Sequence, residues 1–201
     1  KIREEIGDKR GMANSFNNIG VIYQGQGDIP KALEYHSKSL KIREEIGDKG
    51  GMATSLNNIG TIYFRQGDLS KAMEYFGKSL KIYEGIGNKQ GVASSLNNIA
   101  RIAFKKGQIK EALVFANKGM LIAKEIGYPK NIRQVAKLLN DIYKATGNYT
   151  LALENYELFI QMRDSINNGE TKKASIKTQL KYEYEKKAAA EAVRAEEEKK
   201  V

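Results

Sequence analysis

Three pairs of asparagine recur at one spacing: Asn17-Asn18, Asn57-Asn58 and Asn97-Asn98. Asparagine is a poor residue for a helix interior, because its side chain competes for backbone hydrogen bonds. Three identical placements inside helical patterns therefore need a reason. A carboxamide both donates and accepts, so it can hold the backbone of an extended peptide without selecting side chains. The other use of such a pair is to bond a neighbouring copy and fix how copies stack. One helical turn further along the same face lie Thr61, Phe64 and Arg65, then Arg101, Phe104 and Lys105; the first copy has Val21, Gln24 and Gly25 there. An aromatic flanked by cations suits a peptide that carries an acidic group, since arginine pairs bidentately with a carboxylate. A phenylalanine in that place can equally pack on its neighbour.

Catalytic constellations are missing. His36 is the only histidine and there is no cysteine, which removes thiolate chemistry, disulfides and cysteine-ligated zinc. A Ser-His-Asp triad lacks support, because the residues aligned with His36 in later copies are Phe76, Ala116 and Tyr156. His36 is thus expected to fill a packing slot. Gly20, Gly25 and Gly27 mimic a phosphate loop, but no strand precedes them and Gly25 becomes Arg65 and Lys105 later. The chain is expected to be no enzyme and to need no cofactor or metal.

The elements that must position the asparagines repeat every 40 residues: SFNNIGVIYQGQGD from Ser15, SLNNIGTIYFRQGD from Ser55 and SLNNIARIAFKKGQ from Ser95. A worn fourth copy runs through Gly147, Ala152 and Leu153. A period in this range means stacked supersecondary units that bury their apolar faces against one another. Within a unit, Phe16, Ile19, Val21, Ile22 and Tyr23 give a helical stripe over Ser15–Gly27. Gly27 ends that helix and Asp28 can cap the next, with Pro30 in its first turn. The second helix is expected from about Ile29 to Ile46, with Ala32, Leu33, Leu40 and Ile42 inward and Gly47 closing it in the left-handed conformation. Asp48-Lys49-Gly50 reads as a polar turn. Lys38, Lys41 and Arg43, interleaved with Glu34, Glu44 and Glu45, read as a solvated face.

Position by position the pattern resembles the tetratricopeptide repeat. The family's large residue, Leu-Gly pair, aromatic, turn glycine, alanine and second aromatic correspond to Phe16, Ile19-Gly20, Tyr23, Gly27, Ala32 and, one residue early, Tyr35. The second copy has Leu56, Ile59-Gly60, Tyr63, Gly67, Ala72 and Phe76. The third has Leu96, Ile99-Ala100, Ala103, Gly107, Ala112 and Phe115. The fourth has Ala136, Leu139-Asn140, Tyr143, Gly147, Ala152 and Tyr156. The usual closing proline is absent, which lengthens the second helix and is similar to the long-repeat subclass of kinesin light chains, spindle adaptors and bacterial peptide-sensing regulators. The resemblance implies an all-α, right-handed superhelical solenoid of antiparallel helix pairs with a long C-terminal helix. It also implies that first helices line a concave face, where an asparagine ladder of Asn18, Asn58 and Asn98 grips a partner peptide. Leu138 would end the ladder after three rungs.

The expected organisation is the end of a preceding repeat helix over 1–10, since KIREEIGDKR matches 41–50, followed by repeats over 11–50, 51–90, 91–130 and 131–168. A charged capping or connector helix over 169–201 carries the stripe Ile176, Leu180 and Tyr184, and is similar to connectors of Bacteroidetes-type signalling proteins. The chain is expected to be part of a longer protein. No run approaches the roughly 18 apolar residues of a membrane span. A cysteine-free chain suits cytoplasm and periplasm alike. The net charge of +10 comes from 34 basic and 24 acidic residues. Their interleaving favours solvated helix faces over nucleic-acid binding, which ranks third. First is a peptide- or protein-binding scaffold, the sensory or regulatory region of a larger bacterial signalling protein, whose partner is an extended segment and, at the cationic positions, an acidic one. Second is a structural module that dimerises through its C-terminal helix.

Overall fold

The computed structural model describes residues 7–167; the expected helices over 1–10 and 169–201 lie wholly or mostly outside them. Eight helices follow one another: α1 (Lys9–Gln26), α2 (Ile29–Glu45), α3 (Lys49–Gln66), α4 (Leu69–Gly85), α5 (Lys89–Lys105), α6 (Ile109–Glu125), α7 (Pro129–Ala145) and α8 (Tyr149–Asn167). No strand occurs among the described residues. The architecture is the expected all-α array of helix pairs. The chain divides into two compact units, residues 1–122 and 123–201.

The connections are tighter than the sequence suggests. Each consists of a left-handed glycine followed, in most cases, by Asp or Asn. At Gly27 (φ 81°) the chain reverses. The Asp28 amide donates to the Tyr23 carbonyl at 3.0 Å, closing α1, while the Asp28 carboxylate accepts from the Lys31 amide at 3.2 Å, opening α2. Asp48 does the same between α2 and α3, accepting from Gly51 at 3.0 Å. One residue thus ends one helix and begins the next. Asp48-Lys49-Gly50 is consequently a cap and a first helical turn, and α3 starts six residues before Ser55. The two helices of a repeat are therefore nearly equal, 18 and 17 residues in the first two copies. The 40-residue period comes from both helices being long.

In the first unit α1 pairs with α2 and α3 with α4, and α2 and α4 each pack on the first helix of the following copy. The tightest approach within a pair is at Gly20 and Gly60. A Cβ on Gly20 would stand 2.8 Å from the His36 ring, and one on Gly60 2.9 Å from the Phe76 ring. His36, and not Tyr35, therefore occupies the second aromatic slot of the first repeat. Tyr35 instead stacks on Tyr23 at 5.5 Å, as Tyr75 does on Tyr63. In the third copy the opposing residues are Ala100 and Ala116, both fully buried. Around Phe76 the core gathers Phe64, Ala72, Ile99 and Ile102, with Phe115 against it. A second cluster joins Ala53, Tyr83, Val92 and Leu96.

The buried stripe of α2 is largely polar where the sequence suggests aliphatic packing. Buried on α2 are Ala32, His36, Ser39 and Arg43, while Leu33, Leu40 and Ile42 are half-buried. Arg43, which the charge pattern places on a solvated face, is 6% exposed and donates to Asn14 Oδ1 at 2.9 Å. It fits because Gly51 on α3 has no side chain; a Cβ there would overlap the guanidinium. Tyr83 takes the same place one repeat later, lying on Gly91 with its hydroxyl 3.0 Å from Thr54 Oγ1. Val21 and Ile22, expected in the apolar stripe of α1, are exposed.

In the second unit α7 and α8 form one pair. Val135, Leu139 and Ile142 are buried on α7. Asn140 stands where Gly60 and Ala100 stand in earlier copies and donates to the Ala152 carbonyl at 2.7 Å.

Gly60→Ala is expected to cost about 1–3 kcal/mol by overpacking against Phe76, although Ala is the better helix former. In a Phe76→Ala background the same change should cost nothing, since that pair reproduces Ala100 and Ala116 of the third copy. A double-mutant cycle by urea unfolding measures the coupling; additive effects would show that the approach of α3 and α4 is not what makes Gly60 necessary.

Candidate functional site

In the second and third pairs the second asparagine donates backward to the first asparagine of the preceding pair. Asn58 Nδ2 donates to Asn17 Oδ1 at 2.8 Å, and Asn98 Nδ2 donates to Asn57 Oδ1 at 3.0 Å. Both bonds span 41 residues, one repeat plus one position. The pairs thus link consecutive first helices, α1 to α3 and α3 to α5. Asn58 and Asn98 are half-buried and each keeps its Oδ1 and a second amide hydrogen. Asn18 is exposed. Asn97 is 5% exposed, and its Oδ1 has no partner among the described residues.

The seam continues below the asparagines. Asn17 Oδ1 also lies 3.2 Å from His36 Nδ1. That oxygen can only accept, so His36 is the donor and the neutral ring carries its proton on Nδ1. Ser39 and Ser55 pair at 3.2 Å between α2 and α3, and Ser79 and Ser95 at 3.4 Å between α4 and α5. All four serines are fully buried. Sequence reasoning missed them, though their repetition at aligned positions is visible. Burial holds the His36 pKa down to about 4, so the ring is neutral at physiological pH.

The second group of residues assembles across a repeat boundary. Phe64 of α3 is 8% exposed. From α5 the Arg101 guanidinium lies 4.4 Å and the Lys105 ammonium 4.8 Å from its ring centroid, within cation–π range. Loss of hydration, and second the charge of Arg65, hold Arg101 below the usual guanidinium value. Phe64, Arg65, Arg101 and Lys105 therefore form one cluster, drawn from two copies. Thr61 is not free in the same way: its hydroxyl donates to the Asn57 carbonyl at 2.9 Å. Phe104 is half-buried.

Among the described residues no group of three or more His, Asp or Glu could hold a metal ion, and no helix is long and apolar enough to cross a membrane. The arrangement offers hydrogen-bonding amides and a cationic cluster.

A family model described as tetratricopeptide repeat matches residues 11–85, and a second of the same description matches 92–126, together more than half of the chain. No curated protein matches the sequence. Among solved structures, BtubC (BKLC) from P. vanneervenii is 22% identical with a TM-score of 0.66, covering 78% of this chain and 65% of its own. Aspartyl phosphate phosphatase F from Bacillus subtilis is 14% identical with a TM-score of 0.73, covering 91% and 52%. The Rap conjugation gene regulator of plasmid pLS20, solved in complex with the Phr* peptide, is 20% identical with a TM-score of 0.73, covering 87% and 48%. The chain thus spans about half to two thirds of the length of these structures. At such identities the likeness is one of fold.

The unfolded chain takes up a proton on His36 near pH 6.5, which the folded chain refuses until about pH 4. Stability should therefore fall as pH drops through that window, by about 3 kcal/mol for this group. His36→Phe, which copies the Phe76 of the next repeat, should remove this component and leave Asn58 bonded to Asn17. Urea midpoints of the two proteins at pH 7 and pH 4.5 provide the check; parallel losses would show that His36 does not titrate with folding.

Proposed function

The chain belongs to the tetratricopeptide-repeat family, and from that premise we propose that it is a scaffold that holds an extended protein segment on the face of its first helices. The observation that carries this reading is the state of the second asparagines. Each of Asn58 and Asn98 is half-buried, is anchored by one hydrogen bond and retains an acceptor and a donor. A carboxamide fixed in this way loses little side-chain entropy when a peptide backbone docks, so binding is preorganised. Successive rungs repeat at aligned positions, as the backbone groups of an extended segment do, and Asn18 supplies the third rung. Affinity would come from the ligand's main chain, and selectivity from what flanks the rungs.

In this reading the array is the sensory or regulatory part of a larger signalling protein, and segment binding stiffens the stack. A regulator of similar fold solved with a peptide bound gives the reading a precedent, at 20% identity.

The test begins with a phage-displayed random peptide selection on the chain. Asn18→Ala, Asn58→Ala and Asn98→Ala together are expected to weaken the selected peptides by about 1–3 kcal/mol. Measurements far below the unfolding transition separate this from the loss of the two seam hydrogen bonds, about 1 kcal/mol of stability each. Asn18→Ala alone should weaken capture with little change in stability. Unchanged affinity in the triple variant would mean that the asparagines serve stacking alone.

A further inference from the structure

The cluster at the boundary of the second and third repeats carries charge that nothing in the described residues neutralises. Elsewhere in the first two repeats, lysines that lie over aromatic rings are each matched by a carboxylate of their own helix or its cap. Lys31 lies over Tyr23 and pairs with Asp28 at 3.0 Å; Lys38 lies over Tyr35 and pairs with Glu34 at 2.6 Å. Lys71 with Asp68 and Lys78 with Glu74 repeat the arrangement. Over Phe64 the pattern breaks: Arg101 and Lys105 approach one ring, Arg65 adds a third cation, and none of the three joins an ion pair among the described residues.

Stacking does not require this cluster. The preceding boundary places Gln24 where Phe64 stands, Thr61 in place of Arg101 and Arg65 in place of Lys105, yet the same asparagine and serine bonds form there. Three like charges held together without a counter-ion cost free energy, which a ligand anion would recover.

We propose that Arg65, Arg101 and Lys105 form a subsite for a phosphorylated side chain on the bound segment. The proposal rests on the reading of the first-helix face as a segment-binding surface. A single carboxylate would neutralise one of the three cations. A phosphomonoester carries a charge of about −1.5 to −2 and three acceptor oxygens, which suits three donor groups from three side chains. Phe64 serves as a floor: it keeps the Arg101 guanidinium beside Lys105 and blocks solvent from one side.

Degenerate peptide pools with phosphoserine, glutamate or serine at the centre test this against the full chain, with random-sequence single-stranded DNA as a further arm. The phosphoserine pool is expected to bind about tenfold more tightly than either other pool, an advantage of the size charge-assisted bonds supply. That advantage should vanish in Arg101→Gln/Lys105→Gln and shrink in Arg65→Gln, whose exposed side chain lies outside the core, while the serine pool is retained. Equal binding of the glutamate and phosphoserine pools overturns the proposal in favour of a carboxylate site. Tighter binding of the DNA, with a steep salt dependence, overturns it in favour of a nucleic-acid surface. Serine-pool binding that depends on Asn58 and Asn98 but gains nothing from phosphate overturns the subsite and leaves the scaffold reading standing. If no pool binds, both fall.

Discussion

The constraint on which the rest depends is the hydrogen bond from the second asparagine of one repeat to the first asparagine of the repeat before it. Helices that meet through Ala, Gly and Ser could slide or rotate past one another at little cost, since small apolar surfaces specify register weakly. A half-buried amide restricts that freedom. Asn58 to Asn17 and Asn98 to Asn57 are satisfied only when consecutive first helices stand one repeat plus one residue apart. Each bond contributes a modest ~1 kcal/mol net, and a shifted register would break both while leaving half-buried donors and acceptors less well solvated. The asparagines therefore act on specificity more than on stability, and the serine pairs and Arg43 reinforce the same register.

Much of this is legible in the residues. Left-handed glycines, capping aspartates and the small residues at 20, 60 and 100 are local signals, since a turn or a close approach states its needs within a few positions. What escapes is long-range. Arg43 looks solvated among Glu44 and Glu45, because its burial depends on Gly51 in the next helix and Asn14 far upstream. Asp48-Lys49-Gly50 suggests a turn, and the residue after it is glycine because an arginine lies on it. Tyr35 and His36 compete for one slot, and only the approach of Gly20 decides between them. The cations near Phe64 group by repeat in the sequence, whereas in the fold the ring of one repeat is covered by the cations of the next.

The asparagine pairs also show how a repeat divides one chemistry between two tasks. The inner amide answers to the neighbouring helix; the outer amide is held by it and still has groups to spare. Whatever engages the outer groups acts on side chains whose orientation the stack already sets, so occupancy of the face and rigidity of the seam are linked through the same atoms.

Among the described residues the second repeat shows both halves of its junctions. It gives a hydrogen through Asn58 and takes one through Asn57; it offers Gly51 to the side chain before it and Tyr83 to the glycine after it. Residues 51–90 are thus a tile with complementary edges, able to follow a copy of itself with no new contact to invent. An array made of such tiles can lengthen or shorten by whole units of 40 residues while every junction keeps its polarity. In the third repeat the buried Asn97 oxygen has no donor among the described residues.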